Sequence, residues 1–144
     1  MVKLRKKGTC ALALLLAVIT IVGCAGGEKT NTATEIVIPD GVEAIGEGEF
    51  MNCYSLTNIV IPGSVKTIGA YAFQDCDALT VITIPDGVTK IEKYTFSFCS
   101  SLTIVVIPDS VTVIDDFAFS GTSTLDAQTV QKILSINPDA VFGK

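Results

Sequence analysis

Histidine and tryptophan are absent from this chain of 144 residues, and only 17% of its residues carry a charge. Without histidine, the chain cannot form a Ser-His-Asp triad, a Cys-His dyad or a histidine-ligated zinc site. Its net charge of −5 disfavours nucleic-acid binding, which needs clustered Lys and Arg. Its hydrophobic content of 49% is too high for a disordered chain. We therefore expect a folded protein that is not an enzyme, uses no cofactor or metal, and binds no nucleic acid.

Residues 1–23 are laid out like a secretory signal peptide. Basic residues cluster between positions 3 and 7, and an apolar run follows from Ala11 to Val22. As a helix, this run would be about 18 Å long, too short to cross a hydrocarbon core of about 30 Å. A basic segment before a short apolar one is typical of a signal that is removed from the mature protein.

The apolar run ends in Ile21-Val22-Gly23-Cys24, which resembles the lipobox of bacterial lipoproteins. The resemblance implies that Cys24 is lipidated and that residues 24–35 hold this cysteine and a flexible tether. The implied location is the cell envelope, lipid-anchored to the membrane and facing the extracellular side. An ordinary cleaved signal and an uncleaved anchor are the alternatives. Loss of residues 1–23 would leave six basic residues against fifteen acidic ones, a net charge of −9, so attachment would depend on the acyl chains.

Residues 36–127 contain four consecutive copies of a 23-residue unit, without insertion or deletion. The recurring positions are illustrated by the end of the first copy and by the second copy; they are Leu56, Ile59, Ile61, Pro62, Val65, Ile68, Phe73 and Cys76. Isoleucine or valine alternates with other residues before each proline, which predicts a short strand that ends near the proline. One copy buries too little apolar surface to fold alone, so we expect the copies to stack as a solenoid.

This pattern of Leu, Ile, Pro, Val, Phe and Cys is similar to the BspA-like, or Treponema-type, leucine-rich repeat. The resemblance implies an α/β-type leucine-rich repeat solenoid of about four 23-residue repeats, with short parallel strands and irregular or short helical turns. Asp126 is a good N-cap for a helix over 127–135, and Asn137-Pro138 would end that helix. We therefore predict that residues 128–144 form a C-terminal helical cap.

The strand face opposite the core is the predicted partner-binding surface, because solenoids use such faces for partners. It becomes more apolar toward the C-terminus, which can mark an interaction surface. β-branched residues suit any strand, so a purely structural role is the alternative. The predicted partner-binding residues are Thr57, Asn58, Val60, Thr80, Val81, Thr83, Thr103, Ile104 and Val106.

Equivalent positions in successive copies form columns along the solenoid, and three other sets of such positions could have a chemical role. Tyr71, Tyr94 and Phe117 form an aromatic edge that could bind sugars or peptides, or simply stack across repeats. The cysteine column of Cys53, Cys76 and Cys99 is interpreted as buried thiols, with one strained disulfide as the alternative. Aspartates after the prolines are interpreted as turn-forming residues, with a calcium site as the alternative; they are Asp40, Asp86 and Asp109. The acid pairs Glu47/Glu49 and Asp115/Asp116 are interpreted as solvated.

The signal and the repeat together predict a monomeric, surface-anchored lipoprotein that binds a protein partner through its strand face. The family resemblance implies adhesion to extracellular matrix or plasma proteins such as fibronectin and fibrinogen. The alternative is a structural spacer, or an envelope-assembly module without a host ligand.

Overall fold

The structure is a computed structural model and describes residues 33–143. Eight short strands and one helix follow each other along the chain. They are β1 (Glu35–Val37), β2 (Ala44–Ile45), β3 (Asn58–Val60), β4 (Thr67–Ile68), β5 (Val81–Thr83), β6 (Lys90–Ile91), β7 (Ile104–Val106), β8 (Val113–Ile114) and α1 (Ala127–Ile136).

Each copy contributes one three-residue strand and one two-residue strand, and equivalent strands of successive copies run parallel. The register follows the repeat period, since Ile36 lies opposite Ile59 in the first ladder and Ile82 lies opposite Val105 in another. In β3, β5 and β7 the middle residue is buried and its two neighbours are exposed. The predicted solenoid of short parallel strands with a C-terminal helix is therefore confirmed.

The two-residue strands β2, β4, β6 and β8 are a finding that the sequence interpretation did not include. Residues after the proline turn were expected to be irregular or short helical turns. In the structure, the first residue of each two-residue strand is exposed and the second is buried. The buried residue is Ile45 in the first copy and Ile68 in the second. One recurring isoleucine thus anchors a second, minimal parallel pairing in each copy.

The core is a set of columns that run along the solenoid axis. The phenylalanine column stacks ring on ring, with centroid distances of 5.4 Å for Phe50–Phe73, 5.4 Å for Phe73–Phe96 and 5.3 Å for Phe96–Phe119. All four rings are at most 6% exposed. Because each ring depends on its neighbours for burial, stacked copies share one continuous core.

The C-terminal helix closes the last copy as the sequence predicts. The Asp126 carboxylate accepts a hydrogen bond from the Thr129 N–H at 2.7 Å, which confirms the predicted N-cap. The Thr129 hydroxyl accepts a hydrogen bond from the Val105 N–H at 3.3 Å, so a helix side chain pairs with a backbone group at the open edge of β7. The side chain of Asn137 donates to the Ile114 carbonyl at 2.9 Å and serves β8 in the same way. Edge groups that would otherwise lack partners are thus covered.

Within residues 33–143, no helix is long and apolar enough to cross a membrane. The predicted signal peptide, Cys24 and most of the predicted tether lie outside the described residues.

Candidate functional site

The structure places all nine predicted partner-binding residues on the strand face, where each is exposed to solvent. They alternate with the buried residues Ile59, Ile82 and Val105, as the period-two pattern of a half-buried strand requires. The apolar members are far from buried: Val60 and Val106 are each 48% exposed. Exposed β-branched residues of two adjacent columns form an apolar stripe along the solenoid, which consists of Val60, Val81, Ile104 and Val106.

One column of the strand face changes chemistry from copy to copy. Its members, in order along the axis, are Glu35, Asn58, Val81 and Ile104. At the N-terminal end, the Asn58 amide donates to the Glu35 carboxylate at 3.1 Å, so this end is polar and internally bonded. At the other end, Val81 and Ile104 are 42% and 41% exposed. This column is therefore polarised, with an acidic and amide end and an apolar end, whereas the adjacent column has an exposed valine at each end, Val37 and Val106.

A neighbouring threonine column fixes the backbone of the face. The Thr57 hydroxyl donates to the Thr34 carbonyl at 2.8 Å, and the Thr103 hydroxyl donates to the Thr80 carbonyl at 3.0 Å. These two hydroxyls are thus engaged in the structure of the solenoid. Among the predicted contact residues, Thr57 and Thr103 are therefore the least available as donors to a partner.

The predicted aromatic edge forms a continuous stack. Tyr71 and Tyr94 have ring centroids 5.2 Å apart, and Tyr94 and Phe117 have centroids 5.6 Å apart. The Lys93 ammonium lies 4.9 Å from the Tyr94 centroid. A sugar needs a free ring face on which to stack, and both faces of Tyr94 are occupied by its neighbours. The geometry therefore favours stacking across repeats, the structural alternative for this column.

Two members of this stack have a left-handed backbone. Tyr71 has φ of 61° and Tyr94 has φ of 59°, and glycine occupies the equivalent position in the first copy as Gly48, with φ of 62°. A bulky residue at positive φ costs free energy that must be offset elsewhere. The ring stack supplies that compensation and holds the loops of successive copies together.

Phe98 is an exposed aromatic residue that the sequence interpretation missed. It is 41% exposed with φ of 58°, and its ring lies over Gly121 of the next copy, where any side chain would collide with it. The matching positions in the first two copies are the polar residues Asn52 and Asp75. An aromatic residue in a polar column was the signal that could have identified this contact.

The cysteine column is structural. Cys76 and Cys99 are free and fully buried, and their thiols donate to the carbonyls of Phe50 at 3.2 Å and Phe73 at 3.1 Å. Burial raises the pKa of Cys76 to about 12 and raises the pKa of Cys99 well above its ordinary value. Both thiols stay protonated and unreactive at neutral pH. The buried-thiol interpretation is confirmed for these two residues; Cys53 is equally buried but is not a free thiol.

The acidic residues singled out in the sequence take structural partners or face solvent. Asp109 pairs with Lys132 of the helix at 2.8 Å, and Asp116 accepts the Asn137 amide at 2.8 Å, so both help to fix the cap. Glu49 differs, because burial raises its pKa and its Oε1 atom has no hydrogen-bond partner. Within residues 33–143, no group of three or more His, Cys, Asp or Glu side chains could hold a metal ion.

Comparison with known proteins identifies the class. Residues 28–144 match the family model described as BspA type Leucine rich repeat region, in six copies. The chain belongs to the BspA-type leucine-rich repeat family, as its repeat pattern predicts. Leucine-rich repeat proteins are generally protein-interaction modules, and their stacked strands provide extended binding surfaces. A search of curated proteins finds no match.

Two solved structures are similar to this chain. The leucine-rich repeat protein of T. pallidum is 30% identical with a TM-score of 0.72, over 76% of this chain and 51% of that one. A leucine-rich repeat protein from Bacteroides ovatus is 28% identical with a TM-score of 0.61, over 77% of this chain and 30% of that one. The chain thus spans about half the length of the first protein and under a third of the second.

Proposed function

We propose that this protein is a surface-anchored lipoprotein that binds a protein partner through its strand face, with adhesion to matrix or plasma proteins as its role. The observation that carries the proposal is the exposed apolar stripe on an otherwise acidic chain. Val60, Val81, Ile104 and Val106 keep between 41% and 48% of their surface in solvent. A side chain of this kind gains free energy only when a partner covers it.

The polarity of the face indicates what the partner offers. An apolar patch on the partner would cover Val81, Ile104 and Val106, and a basic group would lie near Glu35. Strands in a bonded ladder are about 4.8 Å apart, so Glu35 and Ile104, which are three strand spacings apart, lie at least about 14 Å from each other along the axis. The first copy reinforces this arrangement, because no Lys or Arg occurs between residues 33 and 65, whereas Glu35, Asp40 and Glu43 do. Opposite charges at that end would orient the partner.

A matched pair of valines tests the proposal. Val106 lies on β7 of the strand face and Val113 lies on β8 of the same copy, and each is 48% exposed. Fibronectin and fibrinogen are immobilised, and binding of the protein lacking residues 1–24 is measured by surface plasmon resonance. We expect Val106→Glu to weaken saturable binding at least about tenfold, because it buries an unpaired charge in the interface, and Val113→Glu to have little effect.

Three outcomes separate the candidate functions. Equal losses from both variants would place the binding site away from the strand face. Absence of saturable binding by the folded, monomeric protein would contradict adhesion and favour the spacer. A stable oligomer that Val106→Glu dissociates would favour assembly with other envelope proteins through the same apolar stripe.

The anchoring part of the proposal rests on the lipobox-like sequence around Cys24 and is tested separately. Cys24→Ala removes the sulfur that would carry the diacylglyceryl group. We expect this variant either to leave the membrane fraction or to persist with its signal uncleaved, as judged by fractionation and mass spectrometry. Cys76→Ala is the matched control, because it removes a cysteine within the solenoid. If the Cys24→Ala protein still carried the same lipid-dependent mass increase as the unsubstituted protein, the proposal would be contradicted.

A further inference from the structure

The three junctions between successive copies differ on their strand side. In the described part of the chain, ladders join β1 to β3, β2 to β4, β5 to β7 and β6 to β8, but none joins β3 to β5 or β4 to β6. The N–H groups of Thr57 and Thr103 donate to the carbonyls of Thr34 and Thr80, each at 2.9 Å. Within residues 33–143, the Thr80 N–H has no equivalent bond to Thr57. We call this interrupted junction the seam.

The second series of strands is interrupted at the same junction. The Lys66 N–H donates to the Glu43 carbonyl at 2.8 Å, and the Thr112 N–H donates to the Thr89 carbonyl at 3.0 Å. In the described residues, no such bond runs from the Thr89 N–H to Lys66. Both strands of the repeat therefore lose their backbone bonds at the seam, although β5 still lies beside β3 and β6 beside β4.

The loop side of the solenoid, formed by residues 69–79 and 92–102 at this junction, is closed across the same seam. The Tyr71 N–H donates to the Lys93 carbonyl at 3.2 Å, and the Phe73 N–H donates to the Thr95 carbonyl at 2.9 Å. Two ring stacks, Tyr71–Tyr94 and Phe73–Phe96, also span the seam. In the described residues, this junction thus has backbone hydrogen bonds on the loop side and none between its strands.

The sequence supplies a reason for the alternation. The Ser64 hydroxyl accepts the Gly41 N–H at 3.1 Å and donates to the Val42 carbonyl at 2.9 Å, which ties copy 2 to copy 1. Ser110 makes the same two bonds to copy 3, at 3.2 Å and 2.8 Å. Copy 3 has Gly87 where those serines stand, and glycine has no hydroxyl with which to tie copy 3 to copy 2.

At the seam, an exposed lysine takes the place of this serine tie. The Lys66 ammonium donates to the Gly63 carbonyl of its own copy at 3.0 Å and reaches the Asp86 carbonyl of copy 3 at 3.4 Å. A flexible lysine side chain with one long bond holds a junction less firmly than two backbone-directed hydroxyl bonds.

We propose that the solenoid consists of two rigid halves, one carrying β1 to β4 and the other β5 to β8, which hinge about their loop side so that the strand face opens and closes at the seam. The hinge divides the strand face, with Asn58 and Val60 on β3 of one half and with Val81 on β5 and Ile104 on β7 of the other. A partner that contacts both halves would fix the angle between them. The hinge itself needs no partner and stands whether or not the proposed function holds.

Hydrogen exchange at three equivalent amides tests the hinge on the full chain. The residues Thr57, Thr80 and Thr103 all follow a leucine, so their intrinsic exchange rates are matched. We expect the Thr80 amide to exchange on the order of tenfold faster than the other two, because it has no carbonyl partner across the seam. The Phe73 amide, which is bonded across the same seam on the loop side, should stay protected.

Each deviation from this pattern would overturn the hinge. Protection of Thr80 equal to that of Thr57 would show that the strand side is closed. Fast exchange of Phe73 would show that the whole junction separates rather than hinges.

Ser110→Ala tests whether the serine tie causes the alternation. We expect this variant to increase exchange at Thr112, next to the broken tie, on the order of tenfold and to leave Lys66 at the first junction unchanged. Unchanged exchange at Thr112 would contradict the serine-based explanation.

Discussion

The buried phenylalanine column and the strand face differ in whether the same residue type recurs in every 23-residue copy. In the interior, phenylalanine recurs without exception, and its four members are Phe50, Phe73, Phe96 and Phe119. On the strand face, one column changes from Glu35 to Asn58, Val81 and Ile104. The phenylalanine column repeats because each ring packs on its own kind, whereas a surface column has no such constraint. The invariant column therefore specifies the fold, and the varied column is where we expect the specificity of the proposed partner binding.

The largest loss of stability is expected from a substitution in the interior. Its absence would contradict the view that the phenylalanine column specifies the fold. Phe96 is fully buried between Phe73 and Phe119, so Phe96→Ala removes two ring contacts and leaves a cavity. We expect the free energy of unfolding to fall by about 3–5 kcal/mol, measured by urea denaturation.

The matched control for this change is Phe117→Ala. Phe117 is also stacked, against Tyr94, but it is 38% exposed. Its loss is expected to cost about 1–2 kcal/mol, because one stacked contact is lost and solvent already reaches the ring. Similar losses of unfolding free energy in both variants would mean that the buried and the exposed ring columns stabilise the fold equally, which would contradict the distinction between interior and surface.

The sequence predicts the interior better than the junctions. The period of 23 residues, the inward isoleucines and the Asp126 cap can all be derived from spacing and from local hydrogen-bonding rules. The two-residue strands could not be predicted, since a pair such as Thr67–Ile68 is too short to show alternation. The left-handed tyrosines were missed because propensity assigns glycine to such positions, and only tertiary stacking compensates for a bulky residue there.

The strand face illustrates the same limit in another way. Its exposed residues follow directly from period-two alternation, and the structure places Thr57, Val60 and Val106 as expected. The exchange of Gly87 for the serine found in copies 2 and 4 is visible in the sequence. Its consequence depends on whether a hydroxyl reaches the backbone of the preceding copy, and this requires the three-dimensional stack.

The smallest effect on stability is expected from a substitution on the strand face, which tests whether a strand-face residue contributes to binding without contributing to stability. Val106→Thr keeps a β-branched residue and reproduces what copy 3 already carries in the same column as Thr83. Since Val106 is half exposed and Thr suits a strand, the free energy of unfolding should change by no more than about 0.5 kcal/mol. The same substitution removes apolar surface from the stripe, so binding to the partner should weaken measurably. A loss of stability comparable with that of Phe117→Ala would indicate that the stripe belongs to the architecture of the solenoid. Unchanged stability with weakened binding would separate the two roles within a single repeat, because one residue would then serve only the partner while its neighbour Val105 serves only the core.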